Sequence, residues 1–119
     1  MVIPELADLI WLFEDEPSNP DPDLRWPVGL QSFRLQRGPH EVLFSIDPTS
    51  GEAYITLYAA GQELADLGRL RRLEALTVIK RDGYEGLELR FVDARHDPLI
   101  VQTRPEIKLT WNVVPLGVW

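Results

Sequence analysis

The sequence predicts an α+β fold that is mainly β: an antiparallel meander of about seven strands, forming a curled sheet or small barrel, with one N-terminal amphipathic helix. Three observations support this prediction. Apolar residues recur with helical spacing near the N-terminus. From Gln31 onward they alternate with a period of two. Turn signals rich in Gly and Pro separate the short strand-like segments. The length of 119 residues predicts one domain, 1–119.

The N-terminal helix is predicted over Pro4 to Glu14. Its apolar stripe, with the spacing i, i+3, i+4 and i+7, consists of Leu6, Leu9, Ile10 and Phe13. Pro4 suits the first position of a helix, and Pro17 disfavours helical backbone at Glu16. Trp11 lies off the stripe, so we expect it at the flank of the helix or in solvent.

Residues 1–23 form an acidic arm that comprises the helix and the beginning of a proline-rich stretch. This stretch contains Pro17, Pro20, Pro22 and Pro27. The arm contains seven acidic residues and no Lys or Arg, whereas the rest of the chain has 12 acidic and 12 basic residues. The whole net charge of −7 therefore lies in the arm.

An antiparallel sheet is predicted over residues 31–114. Its first three strands alternate apolar and polar residues around 33–35, 42–46 and 53–57, with turns at 37–40 and 47–51. The chain lacks the alternation of strands and helices that a doubly wound fold requires.

Residues 62–67, which lie between Gly61 and Gly68, are predicted to form a helix of one to two turns. A short basic run follows, consisting of Arg69, Arg71 and Arg72. Surface ion pairs are the simplest interpretation of this run. Two alternatives remain for a basic patch that Lys80 and Arg81 could extend. The patch could bind phosphate or carboxylate, or the acidic arm could dock on it intramolecularly.

Asp82-Gly83 predicts a two-residue β-hairpin turn of type I′. Counting outward from the turn gives the register Arg81 with Tyr84, Lys80 with Glu85, Val78 with Leu87, and Leu76 with Leu89. This register places opposite charges opposite each other and apolar residues opposite each other, which supports it.

The last predicted strands are 99–103 and 106–114, joined around Arg104-Pro105. Four residues of the second strand are assigned to one face: Ile107, Leu109, Trp111 and Val113. One open hypothesis is a homo-oligomer in which an edge strand, such as 99–103, pairs with a second copy of the chain.

Several function classes have no support in the sequence. The absence of Cys excludes thiolate metal sites and Cys nucleophiles. His40 and His96 each precede an acid but lie in predicted turns, and no catalytic, cofactor-binding or metal motif is present. The acidic balance disfavours nucleic acid as a partner. No segment is long and apolar enough to cross a membrane, and the start does not resemble a secretory signal. We therefore expect a cytoplasmic protein without enzymatic activity or a cofactor.

The aromatic and acidic residues of the N-terminal part suggest an interaction surface. Trp11 leaves the helical stripe, and Trp26 lies among charges and prolines. Exposed tryptophans are typical anchors of protein interfaces, although both could instead pack on the sheet and hold the arm. The predicted partner-binding residues are Asp8, Trp11, Glu14, Asp15, Glu16, Asp21, Asp23 and Trp26. The resulting hypothesis is an interaction domain for a basic protein, such as a bacterial immunity protein that neutralises a toxin.

The alternative hypothesis is a small-molecule-binding protein or enzyme that uses the concave face of the curled sheet. The candidate lining residues on the non-core face are Arg34, Tyr54, Tyr58, Thr77 and Arg90.

Overall fold

The computed structural model describes residues 1–92 and 97–111. These ranges contain one helix and eight strands: α1 (Leu6–Phe13), β1 (Gln31–Arg37), β2 (His40–Asp47), β3 (Glu52–Ala59), β4 (Gln62–Leu70), β5 (Leu73–Arg81), β6 (Tyr84–Phe91), β7 (Leu99–Arg104) and β8 (Lys108–Thr110). The mainly β class with one N-terminal helix is confirmed. Within the described ranges, α1 is too short to cross a membrane.

The strands form two antiparallel sheets of four strands each, instead of one meander of about seven strands. Sheet I has the order β1-β2-β3-β4 and sheet II the order β5-β6-β7-β8. The described strands do not close into a barrel. Both sheets and α1 contribute to one hydrophobic cluster, as the period-two pattern requires.

The hairpin register predicted around Asp82-Gly83 is confirmed at all four residue pairs. The first three strands also lie where the alternation places them. The helix is shorter than predicted, because it begins at Leu6 and Glu14 ends it in the left-handed conformation, at φ 62°.

The helix predicted over residues 62–67 is wrong, because these residues belong to β4. Ala60 and Gly61 both have positive φ, 50° and 79°, as a two-residue type I′ turn requires. The turn reverses the chain so that β4 pairs with β3. Ala65 and Leu67 then lie opposite Leu57 and Ile55. Sheet pairing thus overrides a local sequence that favours helix.

Strand β7 is not an edge strand, because it lies between β6 and β8. The choice of 99–103 as the edge strand is therefore wrong, because its neighbours within the chain already occupy both of its sides. Pairing of two copies through another edge strand stays a prediction. Strand β8 covers Lys108–Thr110 of the predicted 106–114, of which residues 112–114 lie outside the described part of the chain. Val113 lies outside the described residues, whereas Ile107 is buried as expected.

The N-terminal arm is hydrogen-bonded to both sheets. Val2 forms a parallel bridge with Ala75 of β5. The backbone N–H of Val2 donates to the carbonyl oxygen of Glu74 at 3.0 Å, and that of Leu76 donates to the carbonyl oxygen of Val2 at 2.8 Å. Ser18 pairs with Ser32 of β1 through two backbone hydrogen bonds of 2.9 Å. The helix lies between these two attachments, so the acidic arm has a defined position on the sheets.

Candidate protein-interaction site

A groove of about 620 Å³ lies between the helix and the proline-rich stretch; we call it the arm groove. It is lined by Leu6, Ile10, Glu16, Pro17, Asn19, Pro22, Leu24, Arg25, Trp26 and Gln31. The helix contributes Leu6 and Ile10 from the flank of its apolar stripe. The backbone bridge between Ser18 and Ser32 attaches the opposite wall to β1.

Trp26 is half-buried in the wall of the arm groove. Its Nε1 donates a hydrogen bond to the carbonyl oxygen of Pro4 at 3.2 Å. Its ring meets Phe33 edge-on, with the ring centroids 6.5 Å apart. These contacts join the proline-rich stretch to the start of the helix and to the core, so Trp26 packs on the body while it also lines the groove.

The turns of the proline-rich stretch are held by its own polar side chains. Asn19 donates from Nδ2 to the carbonyl oxygen of Leu24 at 2.8 Å and accepts from the backbone N–H of Asp21 at 2.9 Å. Asp21 accepts from the backbone N–H of Asp23 at 3.1 Å. Such local bonds give an irregular segment a defined shape.

Five of the predicted partner-binding acids are exposed. One of them is Glu14, and the other four are Asp15, Glu16, Asp21 and Asp23. Glu16 lines the arm groove, and Asp21 and Asp23 flank the lining residue Pro22 in sequence. Within residues 1–92 and 97–111, none of the four forms a salt bridge. Their charges are therefore available to a partner.

The other acidic and aromatic candidates lie on a different side of the helix and contact basic residues. Asp8 lies 3.7 Å from Lys80, and the Lys80 ammonium lies 4.2 Å from the centre of the Trp11 ring. Arg104 lies 5.9 Å from the same ring. Trp11 is 40% exposed, so one part of it packs under cations and the rest faces solvent.

Glu14 links the helix to both sheets through two arginines. Arg37, the last residue of β1, donates to both carboxylate oxygens of Glu14. Arg104, the last residue of β7, donates to Glu14 Oε2 at 2.6 Å. The hydrogen bonds from Arg37 and then Arg104 lower the pKa of Glu14 from 4.5 to about 2. The predicted residues therefore fall into two groups. One group lies at or near the arm groove and includes the acids without ion pairs, and the other consists of Asp8, Trp11 and Glu14, which contact basic residues.

The acidic arm reaches the extended basic patch at Lys80, which lies 3.7 Å from Asp8, but not at Arg69, Arg71 or Arg72. Arg69 lies 3.3 Å from Glu52 and donates to the Tyr54 hydroxyl at 3.1 Å, while Arg71 and Arg72 are exposed. The arm acids that form ion pairs contact Lys80, Arg37 and Arg104 instead. The interpretation of Arg69 as a surface ion-pair residue is correct.

The residues of the small-molecule hypothesis are divided between the two sheets. Arg34 and Tyr58 line a second groove of about 530 Å³ on sheet I, beside Glu41. Thr77 and Arg90 belong to sheet II, where Arg90 pairs with Glu88 at 2.6 Å. The five candidates therefore do not line one concave face.

The described residues contain no group of three or more His, Cys, Asp or Glu side chains that could hold a metal ion. His40 is half-buried at the start of β2, and His96 lies outside the described residues.

A solved structure has the same fold. It is a chain of the contact-dependent growth inhibition toxin–immunity protein complex from Klebsiella pneumoniae 342. The TM-score is 0.77, the sequence identity is 14%, and the match covers 93% of this chain and 95% of that chain. No protein-family model and no curated protein matches the sequence.

Sequence reasoning missed the apolar walls of the arm groove. Leu6 and Ile10 were assigned to the buried stripe, but they are only half-buried and line the groove, and Leu24 is 37% exposed. Leu9 and Phe13, by contrast, are buried as predicted. The position of Leu6 and Ile10 at one flank of the stripe is the signal that could have separated them from the core.

Proposed function

We propose that this chain is an immunity-type protein, acting in the bacterial cytoplasm, that binds and neutralises a basic protein toxin through its acidic N-terminal arm. The observation that carries the proposal is the fold shared over nearly the whole chain with a member of a toxin–immunity protein complex. The charge distribution supports the immunity role, because the excess of −7 resides in the arm, where four exposed acids without ion pairs among the described residues could meet a basic partner.

The defined conformation of the arm also supports this proposal. Its backbone is bonded to both sheets, and Trp26 holds the proline-rich stretch against the core. A surface that is already in place loses little conformational entropy when it binds. The free carboxylates attract a basic partner over a range of about 8 Å at physiological salt.

The test begins with affinity capture of the tagged full chain from the lysate of its source cells and purification of the captured partner. The partner is then expressed alone and together with this chain. We expect a basic partner that arrests growth alone, growth that is restored by co-expression, and affinity that falls steeply with salt. A partner that is not basic, or whose toxicity the chain leaves unchanged, would contradict the proposal.

A matched pair of variants tests the role of the arm. Glu16→Gln combined with Asp23→Asn removes two free charges without touching a side-chain hydrogen bond of the described turns. Glu63→Gln combined with Asp66→Asn removes two exposed charges from β4. We expect the arm variant to raise the dissociation constant about tenfold or more, and the β4 variant to bind like the wild type. Equal affinities of the two variants would exclude the arm as the contact surface.

A further inference from the structure

We propose that the arm groove is the socket for one arginine or lysine side chain of the protein partner. The alkyl stem would lie against the apolar walls, and the cationic head would meet the carboxylate of Glu16. This inference rests on the proposed function and adds the chemical class of the group that is recognised.

The walls of the arm groove suit an alkyl stem. Leu6 and Ile10 face it from the helix, and Pro17, Leu24 and the half-buried Trp26 face it from the proline-rich stretch. Long basic side chains bury their methylene groups on apolar surface of this kind while the charged head stays at a polar rim. Its volume of about 620 Å³ lies within the range of roughly 300–1,000 Å³ that is typical of ligand sites.

The polar atoms of the lining select a cation. Asn19 uses both its amide nitrogen and its amide oxygen in the turn. Gln31 is buried and donates to the carbonyl oxygen of Val28 at 3.2 Å. Glu16 is exposed, and its carboxylate is free of ion pairs within the described residues. It is thus the acidic lining residue whose charge is available to an occupant.

The surrounding charges favour the same sign of occupant. Arg25 also lines the arm groove and would attract a carboxylate. Four exposed acids of the arm outnumber it: Asp15, Glu16, Asp21 and Asp23. A basic side chain therefore enters a region of negative potential, whereas an acidic one is repelled on approach.

The test is an NMR titration of the ¹⁵N-labelled full chain with the peptide acetyl-Leu-Arg-Leu-amide at up to millimolar concentration. The control peptides carry citrulline, which has nearly the same shape without the charge, or glutamate at the central position. We expect saturable shifts of the Trp26 indole N–H and of the Leu24 amide with the arginine peptide only. Absence of such shifts, or equal shifts with citrulline, would overturn the inference.

Glu16→Gln should raise the dissociation constant of the arginine peptide about tenfold, whereas Glu63→Gln should leave it unchanged. The failures of the two proposals differ in the partner assay. If Glu16→Gln binds the captured partner like the wild type while Asp23→Asn binds it more weakly, the socket is wrong and the acidic arm stands. If neither substitution weakens the partner complex, the acidic arm itself is wrong as the contact surface.

Discussion

At the scale of single residues, Glu14 shows how an acid of a negatively charged arm becomes part of the scaffold. It ends the helix with a positive φ and thereby reaches Arg37 and Arg104 at the ends of strands in different sheets. Glu16, two residues later, has no such partner among the described residues. Glu14 therefore stabilises the fold, whereas Glu16 is available to a partner, because only Glu14 lies within reach of the arginines.

Glu14 predicts a specific dependence of stability on pH. Its pKa of about 2 in the folded protein lies below the ordinary value of 4.5, so its stabilising effect is present above about pH 4.5 and is lost as the pH falls toward 2. Glu14→Gln should lower the free energy of unfolding by about 1 kcal/mol at pH 7, since solvent screens ion pairs at the surface. At pH 2 we expect the difference from the wild type to be much smaller.

Urea unfolding of both proteins at the two pH values measures this effect. Glu63→Gln is the control, because Glu63 is exposed and has no salt bridge within the described ranges; its free energy of unfolding should equal that of the wild type at pH 7. A Glu14→Gln effect that is the same at pH 7 and pH 2 would contradict the assigned ion pairs.

At the scale of elements, β4 is the segment where local preference and tertiary structure disagree. The sequence Gln62 to Leu67 consists largely of good helix formers. The preceding turn has two residues of positive φ, and it leads the chain back along β3. The backbone then gains a ladder of hydrogen bonds, and Leu67 and Leu70 turn toward the core, which a helix of one or two turns could not match.

The turn before β4 yields a prediction about Gly61. Its φ of 79° disfavours side chains, although no atom lies within 4 Å of where a Cβ would stand. Gly61→Ala should therefore lower the free energy of unfolding by about 1 kcal/mol through backbone strain alone. Gly61→Asn should cost less, because Asn tolerates the left-handed conformation. Thermal or urea unfolding decides this, and equal costs for Ala and Asn would contradict the turn geometry.

At the scale of the whole molecule, the helix of the arm packs on the core that the two sheets form. Phe13 is buried, and its ring centroid lies 5.3 Å from that of Phe33 and 5.7 Å from that of Phe44. Buried residues of both sheets belong to the same hydrophobic cluster. We therefore infer that the chain unfolds as one domain, with the arm as part of the cooperative unit.

Phe13→Ala tests this cooperativity. The loss of a buried aromatic ring should lower the free energy of unfolding by about 3–5 kcal/mol, a large part of the 5–15 kcal/mol that is typical of a domain. Far-UV circular dichroism and tryptophan fluorescence should report one coincident urea transition for the wild type and for the variant. Leu64→Ala, at a residue that is 58% exposed, should change the free energy little. Separate transitions for the two signals would refute a single cooperative unit.

Features that depend on neighbouring residues can be predicted from the sequence. The Asp82-Gly83 turn sets the register of its hairpin, because the side chains of a strand alternate with a fixed period. Leu9 and Phe13 are buried as the helical stripe predicts, because the side chains of a helix also recur on one face with a fixed period. The acidic character of the arm is likewise a property of composition alone.

Contacts between groups that are distant in the chain follow from the tertiary structure. It divided the strands into two sheets, made β4 a strand, and placed Glu14 beside Arg37 and Arg104 while Glu16 stayed free. It also placed Leu6 and Ile10, two residues of the apolar stripe, in the wall of a groove. The physical reason is that periodicity specifies which face of an element is apolar, whereas the element that covers this face depends on contacts between residues far apart in the chain.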